Sequence, residues 1–229
     1  MTVVDFFMYG IKKKNIDTDT TLESQDGAMN LSSTLCNDSE IAEGGVEIGD
    51  PTEVAFLRYA EKRGLDYKEI REKYDRLNEI PFDSDRKLMS TVNSIGGNAI
   101  MFVKGAPDIV LQRSTKALND GDEVPMTEEI LNKYKQINEE FSDRALRVLA
   151  FSIKDVPDEN FVPAIEDEVD LTFVGLMAMI DPPRKEVFGA VKEAISAGIK
   201  TIMITGDHKT TAAAIAKELG IMSKGDKAL

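Results

Sequence analysis

Apolar and polar positions fall into three textures along the chain. Val3-Val4-Asp5-Phe6-Phe7-Met8 reads as a strand already under way at the first residues. From about Asn15 to Gly49 the chain is polar and rich in Asp, Ser, Thr and Gly, with one modest helix expected over Gln25 to Leu35, ahead of a Cys36-Asn37-Asp38-Ser39 turn. Between about Asp50 and Val156 short strands alternate with helices. The apolar runs Leu88 to Val92 and Ala99 to Val103, joined through Gly96-Gly97-Asn98, predict a hairpin. Arg147 to Ile153 predicts another strand, and helices are expected over Pro51 to Arg63, Ala106 to Arg113 and Thr127 to Phe141. Hairpin strands with helices outside them predict an α+β layer with a mainly antiparallel sheet.

After Leu171 the pattern changes to strand, helix, strand, helix: Leu171 to Ile180, Lys185 to Ala197, Ile199 to Ile204 and Thr210 to Leu219. The nearly all-apolar run Ile199 to Ile204 has the texture of a buried parallel strand. The expectation is therefore an incomplete α/β, Rossmann-like segment, with the domain boundary near Pro183: residues 1–183 in one unit, 184–229 in the next. The abrupt strand at the start and the helix near the end give the expectation of a chain cut from something longer.

Composition narrows the function classes. Acidic residues number 41 against 28 basic ones, a net charge of −13, which repels nucleic-acid backbones and anionic membrane faces. The single cysteine, Cys36, excludes an internal disulfide, and with one histidine no zinc-binding set is expected. No run approaches the roughly 18 consecutive apolar residues of a membrane-spanning helix, and no signal peptide is visible.

Candidate chemistry sits at element ends. Asp50-Pro51-Thr52-Glu53 opens a helix with a capping residue, a proline at the first position and a carboxylate at the third. Capping alone accounts for those residues; Glu53 could equally present its carboxylate to a ligand's donor. Phe82, followed by Arg86 and Lys87, puts an aromatic ring and cations beside a strand, suited either to a core or to stacking a base near its phosphates. Lys104-Gly105-Ala106-Pro107 ends a strand with a lysine close to a helix N-terminus, where anions are favoured; a solvated strand-end lysine is the plainer reading. Arg147, within an apolar run, is either an outward-facing charge or a phosphate contact. Thr205-Gly206-Asp207 follows the apolar run before the last helix, the place for a phosphate site in open α/β sheets, and His208 beside it reads as a surface residue. No Gly-x-x-x-x-Gly-Lys-Ser/Thr loop is present.

Taken together and in order, Leu35-Cys36-Asn37-Asp38-Ser39, Gly49-Asp50-Pro51-Thr52-Glu53, Phe82-Asp83-Ser84-Asp85-Arg86-Lys87-Leu88-Met89-Ser90, Lys104-Gly105-Ala106-Pro107-Asp108, Met179-Ile180-Asp181-Pro182-Pro183-Arg184 and Thr205-Gly206-Asp207 resemble the P-type cation-transporting ATPases along the whole chain. The Cys-Asn-Asp and Gly-Asp-Pro-Thr-Glu spellings look most like the calcium-pump branch. The resemblance implies a nucleotide-binding domain followed by an incomplete phosphorylation domain of haloacid dehalogenase type, on the cytoplasmic side of a membrane.

By that resemblance Glu53 would accept from the adenine amino group and Phe82 would stack the ring. Lys87 would line the pocket mouth, Lys104 and Gly105 its floor, and Arg147 would meet the phosphates. Thr205, Gly206 and Asp207 would help hold the transferred phosphoryl group, and Asp181 to Arg184 would form the hinge. Ser84 stands where calcium pumps often carry a phosphate-gripping arginine, which shifts that task toward Arg147. ATP is the implied ligand, with Mg²⁺ in the full-length enzyme, and the partners are the parent's remaining phosphorylation, actuator and membrane domains. The sequence contains neither the Asp-Lys-Thr-Gly-Thr motif of the phosphorylated aspartate nor the Gly-Asp-Gly-x-Asn-Asp motif that holds magnesium, so the chain is expected to bind ATP and hydrolyse none. A self-standing haloacid dehalogenase-type phosphatase and a non-catalytic interaction domain stand as alternatives.

Overall fold

A computed structural model describes residues 1–11, 15–181, 185–204 and 209–222. In chain order the elements are β1 (Thr2–Phe7), α1 (Gln25–Leu35), β2 (Glu40–Ile41), β3 (Glu47–Ile48), α2 (Pro51–Lys62), α3 (Tyr67–Lys73), β4 (Arg76–Asp83), β5 (Leu88–Ile95), β6 (Asn98–Gly105), α4 (Pro107–Arg113), β7 (Ser114–Asn119), β8 (Asp122–Pro125), α5 (Glu128–Asp143), β9 (Arg147–Asp155), β10 (Leu171–Ile180), α6 (Lys185–Ser196) and α7 (Lys209–Glu218). Among the described residues the main sheet has eight strands, in the order β4-β5-β6-β9-β10-β7-β8, with β1 also joined to β10. The result is the expected α+β domain with a mainly antiparallel sheet.

Period-two alternation in the strands decides which helix covers which face. Leu88, Val92, Met101, Val103, Phe173 and Leu176 turn to one side, where they pack with Val110 of α4 and Tyr134 of α5. Phe151, Val174 and Met177 turn to the other, against Met29 of α1 and Phe56 of α2. Beside them Met89, Ile100 and Phe102 pack on Leu31 and Leu35 of α1. The expected hairpin forms between β5 and β6, pairing Ile95 with Asn98. Gly96 and Gly97 have φ of 62° and 88°, the two left-handed positions that a tight hairpin turn with the sheet's own twist requires.

The polar stretch hides a central helix. Every residue of α1 is buried, including Gln25, Asn30, Ser32, Ser33 and Thr34. Each of these polar side chains has a partner. Gln25 donates to the carbonyls of Leu118 and Val174 at 3.2 and 3.0 Å, and Asn30 donates to those of Asp17 and Asp19 at 2.8 and 2.7 Å. Ser32 and Thr34 return their hydroxyls to helix carbonyls at 2.7 Å each. No basic residue occupies the last turn of α1. Instead Arg71 donates to the carbonyl of Thr34 at 3.0 Å and Arg76 to that of Leu35 at 2.8 Å, setting two cations at the negative end of the helix.

β10 corrects one expectation. It does not open a parallel unit: it pairs antiparallel with β9, while its other edge is shared between β7, parallel along Leu171 to Phe173, and β1, antiparallel along Leu176 to Ile180. A second correction concerns the strand expected over Ile199 to Ile204. Those residues carry no regular structure, and Ile199, Ile202 and Ile204 are 60%, 72% and 93% exposed. A strand needs a neighbour for its N–H and C=O groups, and among the described residues none pairs with this segment. The two helices flanking it form as expected.

Candidate functional site

Local sequence chemistry brings the predicted residues to one end of the sheet. Asp50, the cap of α2, has extended backbone and accepts from the Thr52 N–H at 2.7 Å, with Pro51 at the first helical position. This starts α2 so that Glu53 points at the end of β6. There its carboxylate does not turn back on the helix. One oxygen takes the Lys104 ammonium; the other accepts from the Asp38 N–H at 2.9 Å and the Ser39 hydroxyl at 3.0 Å.

Lys104 is not the solvated strand-end lysine of the plainer reading. It is 4% exposed and also donates to the Cys36 carbonyl at 2.6 Å. The Cys36-Asn37-Asp38-Ser39 segment thus closes a ring of donors and acceptors around the Glu53–Lys104 pair. Arg71 and Arg76 hold that ring from behind. Arg71 donates to the Asn37 and Ser39 carbonyls at 2.7 and 3.0 Å, and Arg76 to the Asn37 carbonyl at 2.9 Å and the Asp38 carboxylate at 2.6 Å. Sequence reasoning did not find these two arginines, because their roles depend on a meeting of α1, α3 and β4 that no local pattern reports.

Gly105 and the turn from Asp83 to Lys87 complete this end of the sheet. Asp83, Leu88, Gly105 and Ala150 form one continuous rung across β4, β5, β6 and β9. Phe82, one residue from that rung, is 61% exposed. The core alternative for this ring is thereby excluded, and it is the last residue but one of β4 as well as preceding β5. Asp83 caps the turn by accepting from the N–H groups of Asp85 and Arg86 at 3.0 and 2.8 Å. Lys87 sits at φ 58°, and its carbonyl accepts from the Ala106 N–H at 3.1 Å. Ser84 and Lys87 are both exposed.

Arg147 begins β9, exposed as the outward-facing reading expected, and its charge acts on Asp50. Burial alone would raise the Asp50 pKa. The Thr52 hydroxyl and N–H, with the Arg147 guanidinium, outweigh it and hold the carboxyl below its ordinary value. The site therefore offers an exposed ring, one exposed cation in the β4–β5 turn and another at the start of β9, and a buried ion pair. That set can take a flat aromatic group carrying an anionic tail. A cavity of about 280 Å³ lies against the ring of donors and acceptors, lined by Asn37, Asp38, Arg71 and Arg76 among others, while cavities of about 580 and 1040 Å³ lie elsewhere. Phe82, Ser84, Lys87 and Arg147 are all exposed, so this end is an open shelf.

Asp181 follows β10, exposed, with its carboxylate 3.7 Å from the amino terminus. Pro182, Pro183 and Arg184 of the expected hinge, and Thr205, Gly206, Asp207 and His208, lie outside the described residues. Among the described residues no three His, Cys, Asp or Glu side chains gather as a metal-binding group.

Cys36 is fully buried, and burial first of all pushes its thiol up to about 11, despite the opposing charge of Lys104. The thiolate is the reactive form, so the raised pKa leaves roughly one hundredth of the ordinary thiolate at a given pH. Alkylation by iodoacetamide at pH 8 is expected to be at least about 100-fold slower in the folded chain than in urea. Mass spectrometry of timed samples checks this; equal rates would place Cys36 at the surface.

Residues 28–186 match the family described as P-type ATPase, cytoplasmic domain N. The chain is 49% identical over 231 residues to "Calcium-transporting ATPase lmo0841" of Listeria monocytogenes serovar 1/2a, covering 100% of this chain and 26% of that protein. To "Calcium-transporting ATPase 1" of Lactococcus lactis subsp. lactis it is 50% identical over 229 residues, with the same coverage. "Cation-transporting ATPase pma1" of Synechocystis sp. is 40% identical over 201 residues, 86% of this chain and 22% of that protein. The chain thus spans about a quarter of the length of the curated relatives it matches.

Proposed function

The chain belongs to the P-type ATPase cytoplasmic domain N family, and from that premise we propose that it is the ATP-binding unit of a calcium-transporting ATPase, working on the cytoplasmic side of a membrane. The observation that carries the reading is the Glu53–Lys104 pair, buried at the same end of the sheet as the exposed Phe82 ring. The residues fit the ligand. Phe82 takes the adenine on its face, and the pair with its one unclaimed carboxylate lone pair accepts the exocyclic amine. Lys104 and Gly105 form the floor, where the missing Cβ of Gly105 lets the Lys87 carbonyl and Leu88 pack closely against β6. Lys87 stands at the mouth and Arg147 meets the phosphates. With Ser84 in the turn, Lys87 and Arg147 supply the positive charge there.

Residues 1–183 make up this nucleotide-binding unit in our reading. Residues 184–229 begin the second half of a phosphorylation domain of haloacid dehalogenase type, in which Thr205, Gly206 and Asp207 contact the phosphoryl group and Asp181 to Arg184 form the hinge. In that reading the apolar Ile199 to Ile204 segment becomes a strand once other parts of the parent supply its neighbours. Magnesium has no matching ligand set among the described residues. With neither the phosphorylated-aspartate motif nor the magnesium motif in its sequence, the chain binds nucleotide and leaves phosphoryl transfer to the parent. Transport of calcium, with the actuator and membrane domains as partners, is the parent's activity. Among the described residues no helix is long and apolar enough to cross a membrane.

Titration with ATP, ADP and GTP, following backbone amide shifts, tests the reading. Adenine nucleotides are expected to shift Phe82, Lys87, Lys104 and Gly105, with GTP much weaker and no phosphate released. Silence at those positions favours an interaction module. Phosphate release abolished by Lys104→Ala and Arg147→Ala would favour the stand-alone phosphatase.

A further inference from the structure

Glu168 is fully buried, yet it lies outside every motif the sequence offered. Its side chain gathers three partners. One carboxylate oxygen accepts from Arg86 Nη1 and from the Ser90 hydroxyl, the latter at 2.5 Å; the other accepts from Arg113 Nη1 at 3.3 Å. Arg86 is itself almost enclosed, with 8% of its side chain exposed, and its second nitrogen donates to the carbonyl of Pro81, the residue before Phe82. Arg86 therefore cannot take over the phosphate contact that Ser84 lacks, since both ends of its fork are engaged. It works as a strut. From the far side, Lys154 donates to the carbonyls of Asp167 and Val169 at 2.8 and 2.9 Å, fixing the backbone on either side of Glu168.

We propose that Glu168 is a positioning residue for nucleotide binding: through Arg86 it sets the Asp83 to Lys87 turn, and with it the direction in which Phe82, Ser84 and Lys87 are presented. The inference rests on the nucleotide reading above. A planar guanidinium held at both ends fixes distance and angle together, which an ammonium cannot. Ordering the turn before ligand arrives removes that cost from binding. Arg113 holds the same carboxylate without touching the turn, and so separates positioning from folding.

ATP affinity measured by calorimetry on the 229-residue chain, well below each variant's unfolding midpoint, decides the matter. Glu168→Gln and Arg86→Gln are each expected to weaken ATP binding about tenfold, Arg86→Lys not to restore it, and the double variant to be no weaker than the singles. Arg113→Gln is expected to lower the unfolding temperature while leaving affinity as in the unaltered chain. Should Glu168→Gln fail to fold, Arg86→Gln carries the test, because it leaves Glu168 with Ser90 and Arg113. The proposal is overturned if Arg86→Gln binds ATP normally, or if Arg113→Gln weakens binding as much. If Lys104→Ala loses ATP while the Glu168 and Arg86 variants keep it, only this proposal fails; if the unaltered chain binds no ATP, the nucleotide reading fails with it.

Discussion

Glu53→Ala is expected to cost about 3–5 kcal/mol of folding stability, the range for removing one partner of a buried ion pair. The side chains of Lys104 and Glu53 are only 6% and 12% exposed, so water does little to replace the lost partner. The two single substitutions are not equivalent. Without Glu53, the ammonium keeps the Cys36 carbonyl at 2.6 Å as its remaining acceptor. Without Lys104, the Glu53 carboxylate still accepts from the Asp38 N–H and the Ser39 hydroxyl. Lys104→Met is therefore expected to cost less than Glu53→Ala. The double variant should regain much of the loss, because no buried charge is then left alone. Urea unfolding of the three variants gives the comparison. A Glu53→Ala cost under about 1 kcal/mol, the size of an exposed pair, would show that the pair is solvent-screened and contradict the enclosed geometry.

Gly105→Ala should destabilise by about 3 kcal/mol, the upper end for overpacking, and lower the melting temperature by roughly 6–12 °C. A Cβ at this position would lie inside van der Waals contact of the Lys87 carbonyl oxygen and 2.6 Å from a Leu88 methyl. The Leu88 methyl could rotate away. The carbonyl cannot, since it is fixed by the Ala106 N–H at 3.1 Å and by the left-handed backbone of Lys87. Relief would require moving the turn that carries Phe82, so ATP binding should fall together with stability. Differential scanning calorimetry with and without ATP measures both. A melting point within 2 °C of the parent value, with an unchanged ATP-induced rise, would show that strand β6 and the turn are not in contact.

Much of this was legible in the chain, and the gaps have physical causes. The β5–β6 hairpin was readable because two glycines at its turn meet a strict conformational demand. The start of α2 was readable because Asp50 and Pro51 act at adjacent positions, as cap and first helical residue. The burial of α1 was not, since Ser, Thr, Asn and Gln look like surface until their hydrogen-bond partners arrive from Asp17, Leu118 and Val174. The two-residue strands β2 and β3, and the helix α3, carry too few periods to stand out. Ile199 to Ile204 misled in the opposite way, being apolar enough for a strand but with none beside it among the described residues. At the site, the motifs named Glu53 and Lys104 separately, and only the fold shows that each is the other's partner. Glu168 and Arg113 left no signal, because a buried acid and its arginines are far apart in sequence and ordinary in composition.

The way β10 shares one edge has a mechanical meaning. The first rung of β1 joins Thr2 to Ile180, so the first residue of β1 and the last of β10 meet at one corner of the sheet. Antiparallel ladder bonds run across the strands, and tension applied between these two ends acts along those bonds. Such a load opens the ladder like a zip, one rung after another from Thr2 toward Phe7, instead of shearing all rungs at once. The β4 to β9 shelf lies across β10 from that seam, so a pull at the corner is spent on β1 before it reaches Phe82.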